Sequence, residues 1–363
     1  MFLFLKKLFF QITCGIFTRT KDNHDFSRFP ITEKYSIISL KFYKNRIYNF
    51  LLWTKNTAIF ILHINKFYKS YLLLSDDESK KLFIKLIVYK ILGPKHVKIK
   101  DNLDWKKEQE LINHADKFYT SPSEILLKTH PLFGGLNHYQ NIPTERGHIK
   151  LDCWTGGITY GSMKKQYYFS RHGVVIMPEL GDVVIDAGGC FGDTSVFFSK
   201  SAGTTGKVYV FDPLSIHGTV INKNIAQNNL SDQITYLPYA LGEKSNDTKP
   251  GESVNCDLNP GFRMTDNTSF PIKCIDDFVQ ENNINIMNYI KMDIEGYELL
   301  ALKGAIQTIQ KFKPKLAISI YDKREDFYAI PLWIKKISES YNFYIDHYTM
   351  HAEETVLYAI HKN

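Results

Sequence analysis

Three short stretches put carboxylates where they could do chemistry. GDVVIDAGGCFGDTS, from Gly181 to Ser195, is an apolar β-branched run that ends on Asp186 and breaks into a turn containing Gly188, Gly189 and Gly192. KVYVFDP, from Lys207 to Pro213, ends the same way on Asp212, 26 residues after Asp186. YIKMDIEGYE, from Tyr289 to Glu298, alternates Lys291, Asp293 and Glu295. In an extended chain such alternation puts the three on one face. An acid at a strand tip beside a glycine turn can hold a cationic group or ligand hydroxyls, and glycine lets the backbone come close. Alternating lysine and carboxylates can orient a hydroxyl or tune each other for proton transfer. Each acid also has a structural explanation: Asp186 and Asp212 as caps of the turn or helix that follows, Glu295 as a partner of a helix dipole, Lys291 as half of an ion pair.

The glycine turn is one residue short of the G-x-G-x-x-G dinucleotide fingerprint. Asp186 separates the two ligands that suit such a corner. A pyrophosphate over the turn would be repelled by it. S-adenosylmethionine has no phosphate and carries an ammonium and a sulfonium. The residues therefore favour S-adenosylmethionine, with Asp193 and Thr194 at the helix start beside the turn and Asp212 accepting ribose hydroxyls. An NAD-dependent oxidoreductase is the rival that shares both corners. A non-catalytic, membrane-associated binding module is a second rival.

These corners need a sheet to position them. Strands are expected at Val183–Ala187, Val208–Asp212, Ile234–Ala240, Tyr289–Asp293 and Leu316–Tyr321, with helices at 196–201, 216–228, 275–283, 297–312 and 331–340. Alternation of this kind predicts a parallel sheet with helices on both faces. Phe343–His347 and Thr355–Ile360 have no helix between them, so they are expected to form an antiparallel pair. Residues 243–269 are polar, contain Pro250-Gly251 and Pro260-Gly261, and form a long excursion of the kind that is usually functional. Upstream, Ser75 and Glu78 fit a capping box for a helix ending at Gly93-Pro94, and 101–150 looks like a connector of short helices and loops.

VVIDAGGCFGDTS, VYVFDP, YALGEK, YIKMDIEGYELLALKGA, SIYDKREDFYAIP and HYTMHAEETVLYA together resemble the FkbM family of S-adenosylmethionine-dependent methyltransferases. LLSDDESKKLFIKLIVYKILG is similar to a lead-in helix of bacterial members, so the resemblance runs from about Leu72 to the end. It implies an α/β class I methyltransferase (Rossmann-like) fold: a seven-stranded sheet with a terminal antiparallel hairpin, preceded by a mainly helical N-terminal region. It further implies that Asp186 and the turn hold the methionine part of the cofactor, Asp212 the ribose, and Tyr239 and Ala240 the adenine. The activity implied is O-methylation of a hydroxyl, on a glycan sugar or a secondary metabolite. Asp212 replaces the usual Glu, and Asp322 stands where many members have His. The candidate bases are Asp293, Glu295 and His347, the last also readable as a satisfied structural histidine. Asp293 and Glu295 would suit magnesium, but no third ligand is evident, so no metal is assigned.

The chain of 363 residues divides into a basic, aromatic stretch at 1–70, a lead-in and connector at 71–150, and the methyltransferase domain at 151–363. Net charge is +7, unevenly spread: residues 1–100 hold 19 Lys/Arg against 6 Asp/Glu, and the remainder 26 against 32. The basic N-terminus suits an anionic membrane surface, though an ordinary solvated helix face has the same composition. The acidic catalytic half, and the lack of an Asn/Asp-Pro-Pro-Tyr strand tip, argue against nucleic acid as substrate. Five cysteines without C-x-x-C spacing argue against zinc or a disulfide framework and for a cytoplasmic location. The first residues, MFLFLKKLFF, lack a signal-peptide cleavage site and an unbroken apolar run. An interfacial helix peripheral to the membrane and a buried first helix both fit them.

Overall fold

A computed structural model of the chain describes residues 1–18, 54, 57–93, 96–125, 135–246 and 270–362. Pro94, Pro131, Gly134, Cys256 and nearly all of the 243–269 excursion lie outside the described residues, as do 19–53.

Helix α1 (Phe2–Phe17) presses Phe4 and Leu8 into the interior. Phe4 meets Tyr71 at a centroid distance of 5.0 Å. Tyr71 belongs to α2 (Ile64–Leu73), and α3 (Asp77–Leu92) follows. Burying a side chain such as Phe4 or Leu8 contributes about 1.5–3 kcal/mol, so α1 is held by a short list of residues. Asp76, not Ser75, caps α3, accepting the N–H of Ser79 at 2.6 Å. Ser75 instead accepts the N–H of Phe343 at 3.1 Å, tying the helix entry to the sheet edge. The expected stop at Gly93 is present, with φ +83.

After α4 (Trp105–Ala115), the chain makes a three-stranded antiparallel sheet from β1 (Tyr119–Pro122), β2 (Asn137–Thr144) and β3 (Gly147–Cys153). The expected connector of helices and loops is thus partly β-structure, and β3 runs across residue 150. Polar side chains along β2 hid it: Tyr139 and Ile142 are buried there, but a bulge between them breaks the alternation. A π-helical segment (Gly157–Met163) and the hairpin of β4 (Phe169–Arg171) and β5 (Val174–Ile176) lead into the main sheet.

That sheet is built from β6 (Val183–Ala187), β7 (Lys207–Phe211), β8 (Ile234–Leu237), β11 (Tyr289–Met292), β12 (Lys315–Ser319), β13 (Tyr341–His347) and β14 (Thr355–His361). Between β8 and β11, the short β9 (Ala240–Leu241) and β10 (Ile272–Lys273) pair with each other. The spatial order is β13-β14-β12-β11-β6-β7-β8, parallel except at β14, which runs antiparallel to both neighbours. All four residues of β11 are buried, as expected of a strand covered on both faces. One apolar cluster joins α1–α3 to one face, through Phe4, Phe83, Phe327 and Phe343. A second covers the other, through Phe169, Phe198 and Tyr358.

The helices that position the site are α5 (Asp193–Ala202) after β6 and α6 (Ser215–Gln227) after β7. Next come α7 (Ile275–Glu281), α8 (Glu298–Lys303), α9 (Ile306–Phe312) and α10 (Asp326–Ile337). The helix expected over 297–312 is broken in two at Gly304. A Cβ there would sit 2.2 Å from the carbonyl oxygen of Gly242, so the break is where two backbones touch. The last helix starts at Asp326, ahead of the expected Pro331, which it absorbs.

Candidate active site

The carboxyl ends of β6, β7 and β11 open into one cavity of about 340 Å³. Its floor is the turn after β6. Gly188 has φ +79, and a Cβ there would fall 1.8 Å from the carbonyl oxygen of Asp293. Only glycine lets the turn lie against the tip of β11. Gly188, Gly189, Asp193 and Thr194 all line the cavity. Gly192 does not; it starts α5 in the left-handed conformation and faces Ile221. Burial pushes the Asp193 carboxyl up to about 6.

Asp186 is placed differently from expectation. It is fully buried beneath the turn and does not line the cavity. Its Oδ2 accepts from Thr194 Oγ1 at 2.7 Å and Ser195 Oγ at 2.6 Å, and its Oδ1 lies 3.0 Å from Lys291 Nζ. Asp186 therefore shapes the turn instead of touching a ligand. Lys291, expected among the catalytic groups, is committed to the same task. Its ammonium donates to the carbonyls of Gly188 at 2.7 Å and Ala187 at 3.2 Å. Burial alone would lower its pKa, but Asp186 and Asp293 outweigh burial and hold it raised, so it stays a cation and cannot be a base.

On the β7 side, Asp212 lines the cavity and accepts the N–H groups of Cys190 at 2.9 Å and Leu214 at 3.0 Å. His217 Nδ1 lies 3.0 Å from each of its oxygens. His217 was missed in the sequence, where nothing but its place one turn into α6 marks it. Tyr239, Ala240 and Leu241 close this end of the cavity.

At the other end Asp293 is gripped by two phenols. Tyr167 Oη donates to Oδ2 at 2.8 Å and Tyr321 Oη to Oδ1 at 2.9 Å. Both tyrosines line the cavity, and burial, then Asp293, pushes both phenols well above their usual range. Neither tyrosine was legible as a site residue, since each comes from a different segment. The same holds for Trp154 and Phe191, whose rings meet edge-on at 4.7 Å in the cavity wall.

Glu295 lines the cavity too, but the expected common face with Asp293 is lost, because β11 ends at Met292 and Glu295 has φ +56. Burial, then the charges of Asp293 and Asp322, pushes its carboxyl up to about 9, so near neutrality it can donate a proton and cannot serve as base. His347 is overturned as a base. It is fully buried and absent from the cavity lining, with Nδ1 2.8 Å from Thr355 Oγ1 and Nε2 2.8 Å from the His351 carbonyl. Burial lowers its pKa to about 3. Asp293 is the remaining candidate base, and it faces the cavity.

A mixed seven-stranded sheet with β14 antiparallel and a cavity at the strand tips defines a class I methyltransferase fold. Residues 186–344 match the Methyltransferase FkbM domain, in line with the motif resemblance. A crystal structure of the methyltransferase FkbM from Methylobacillus flagellatus KT superposes with a TM-score of 0.52 at 19% identity, over 83% of this chain. The chain spans 60% of the length of that structure. Fibrillarin from Aeropyrum pernix, with natively bound S-adenosyl-L-methionine, matches at 9% identity and TM-score 0.36, over 65% of this chain and 98% of its own. An O-methyltransferase from Bacillus cereus, in complex with SAH, matches at 11% identity and TM-score 0.31, over 50% of this chain and 74% of its own. Scores of this size add nothing to the fold argument. No curated protein sequence matches the chain.

Proposed function

We propose that the protein is an S-adenosylmethionine-dependent O-methyltransferase whose acceptor is a hydroxyl of a sugar or small molecule. The observation that carries this reading is the charge of the cavity. Asp193, Asp212, Asp293 and Glu354 line it, with Glu295 protonated, and Lys291 is the one lysine of the lining among the described residues. Such a lining favours a sulfonium cofactor and disfavours the pyrophosphate of a dinucleotide. The volume falls within the usual range of small-ligand cavities.

In this reading the cofactor lies from the Gly188–Gly189 turn toward Asp212, with Tyr239 and Ala240 at the adenine end. Its methyl group points toward Asp293. Methyl transfer is an in-line displacement, so the protein mainly has to align an acceptor oxygen with that methyl and receive one proton. Asp293, fixed by Tyr167 and Tyr321, orients the hydroxyl and takes the proton. Trp154, backed edge-on by the buried Phe191, offers an apolar ring of the kind that sugar and aromatic acceptors stack on.

The N-terminal helix supports a place at an anionic membrane surface. Phe2, Phe9, Phe10 and Phe17 of α1 are exposed, next to Lys6 and Lys7. Among the described residues no helix is long and apolar enough to cross a membrane. Contact at the lipid interface accounts for both facts.

Calorimetric titration with S-adenosylhomocysteine and with NAD tests the cofactor. Micromolar binding of the first and none of the second is expected. Binding of NAD alone would overturn the reading, and binding of neither would leave only a retained fold.

A further inference from the structure

Glu298 opens α8 directly behind the cavity tip and has no exposed surface. Its Oε1 accepts the N–H groups of Ile294 at 2.8 Å and Gly296 at 3.3 Å. Its Oε2 is buried and has no hydrogen-bond partner among the described residues. One carboxylate oxygen from each of Asp293, Glu298 and Asp322 lies within 4.8 Å of the other two. These residues come from the tip of β11, the start of α8 and the loop after β12, so the fold converges on this point. Among the described residues no lysine or arginine forms an ion pair with Asp293 or Glu298. Carboxylates packed this closely repel one another, and a cation among them relieves that repulsion.

The geometry points to a hard divalent cation, of the magnesium or manganese kind, bound by Asp293, Glu298 and Asp322. Oxygen atoms around one such ion lie up to about 4–5 Å apart, given metal–oxygen distances of about 2.0–2.6 Å. Small side-chain shifts therefore bring the three oxygens into one coordination sphere, and Glu298 Oε2 gains the partner it lacks. Asp293 lines the cavity, which puts the ion at its edge. Its role rests on the methyltransferase reading: the ion would take the acceptor oxygen as a further ligand. Binding of the ion does not rest on that reading.

The experiment is titration of the full chain, stripped of metal, with Mn²⁺, read by loss of the free-ion electron paramagnetic resonance signal and by competition with Mg²⁺. One site per chain is expected. Glu298→Gln keeps a carbonyl oxygen for the two N–H groups and is expected to weaken Mn²⁺ at least tenfold, as is Asp322→Asn. Circular dichroism melts of the same proteins report folding, and calorimetry with S-adenosylhomocysteine reports the cofactor site. No Mn²⁺ site in the unsubstituted protein overturns the proposal, and so does binding by both variants as tight as by the unsubstituted chain. Mn²⁺ binding lost in the variants, without any binding of S-adenosylhomocysteine, supports the metal site and overturns the cofactor reading alone.

Discussion

Lys291 and Asp186 face each other in register on adjacent parallel strands, and their charged ends meet at 3.0 Å under the glycine turn. Lys291 also holds the carbonyls of Ala187 and Gly188, so one buried cation fixes the strand tip, the turn and the acid together. The pair that looked like ligand-binding chemistry in the sequence is the scaffold of the glycine turn.

Removing one partner strands the other charge in the core. Lys291→Met is therefore expected to destabilise the fold by about 3–5 kcal/mol, measured by urea unfolding. Asp186→Asn should cost less, because an amide oxygen can still accept from Thr194 and Ser195. The double variant should recover part of the Lys291→Met loss. Losses that simply add would show that the two residues are not coupled.

Asp293 and His347 are distinguished by two measurements. Asp293→Asn is expected to lower kcat by about 100-fold or more with affinity for S-adenosylhomocysteine retained. Tyr167→Phe and Tyr321→Phe each remove one hydrogen bond to Asp293 and should lower kcat by a smaller factor. His347→Gln should leave kcat per folded molecule unchanged while lowering stability by about 1–3 kcal/mol, because its buried partners Thr355 and His351 lose their imidazole. A large kcat loss in His347→Gln at full stability would return it to the list of bases.

The raised carboxyl of Glu298 gives stability a pH signature. Its pKa is about 8 in the folded chain against an ordinary 4.5. Between these values the folded state holds a proton that the unfolded state has released. The contribution of this group is therefore complete below pH 4.5, falls as pH rises, and is lost by about pH 8. The expected fall is on the order of a few kcal/mol, and it should be reduced in Glu298→Gln. Unfolding midpoints in metal-free buffer across this window check it. Equal slopes in both proteins would show that Glu298 is not protonated in the fold.

How much was legible before any coordinates follows a physical line. The sheet and its hairpin were readable because buried parallel strands such as Val183–Ala187 are apolar runs with sharp ends. The turn and Asp212 were readable because glycine and acid spacing is local. Tyr167 and Tyr321 converge on Asp293 from segments 126 and 28 residues away, and no local pattern announces such a meeting. Asp322 and Glu298 were hidden as a cluster for the same reason. The alternation of Lys291, Asp293 and Glu295 misled because a strand's period applies only while the strand lasts, and β11 ends at Met292. The β1–β3 sheet was missed because its bulges break the alternation on which strand reading depends.

The exposed rings of α1 set the last expectation. Phe2 and Phe17 are 82% and 85% exposed, while Phe4 and Leu8 on the opposite side are buried against the core. The helix is thus anchored by one face and presents a second apolar face with Lys6 and Lys7 among its residues. A lysine near an anionic bilayer contributes about 1 kcal/mol, and apolar burial adds to it. The full chain should float with vesicles containing phosphatidylserine or phosphatidylglycerol and stay in solution with neutral ones. Binding should weaken in high salt, which screens the lysines. Phe9→Asp with Phe10→Asp should abolish flotation without changing the unfolding midpoint, since neither ring is buried. Flotation unaffected by the double substitution would place the membrane contact elsewhere in the basic N-terminal hundred residues.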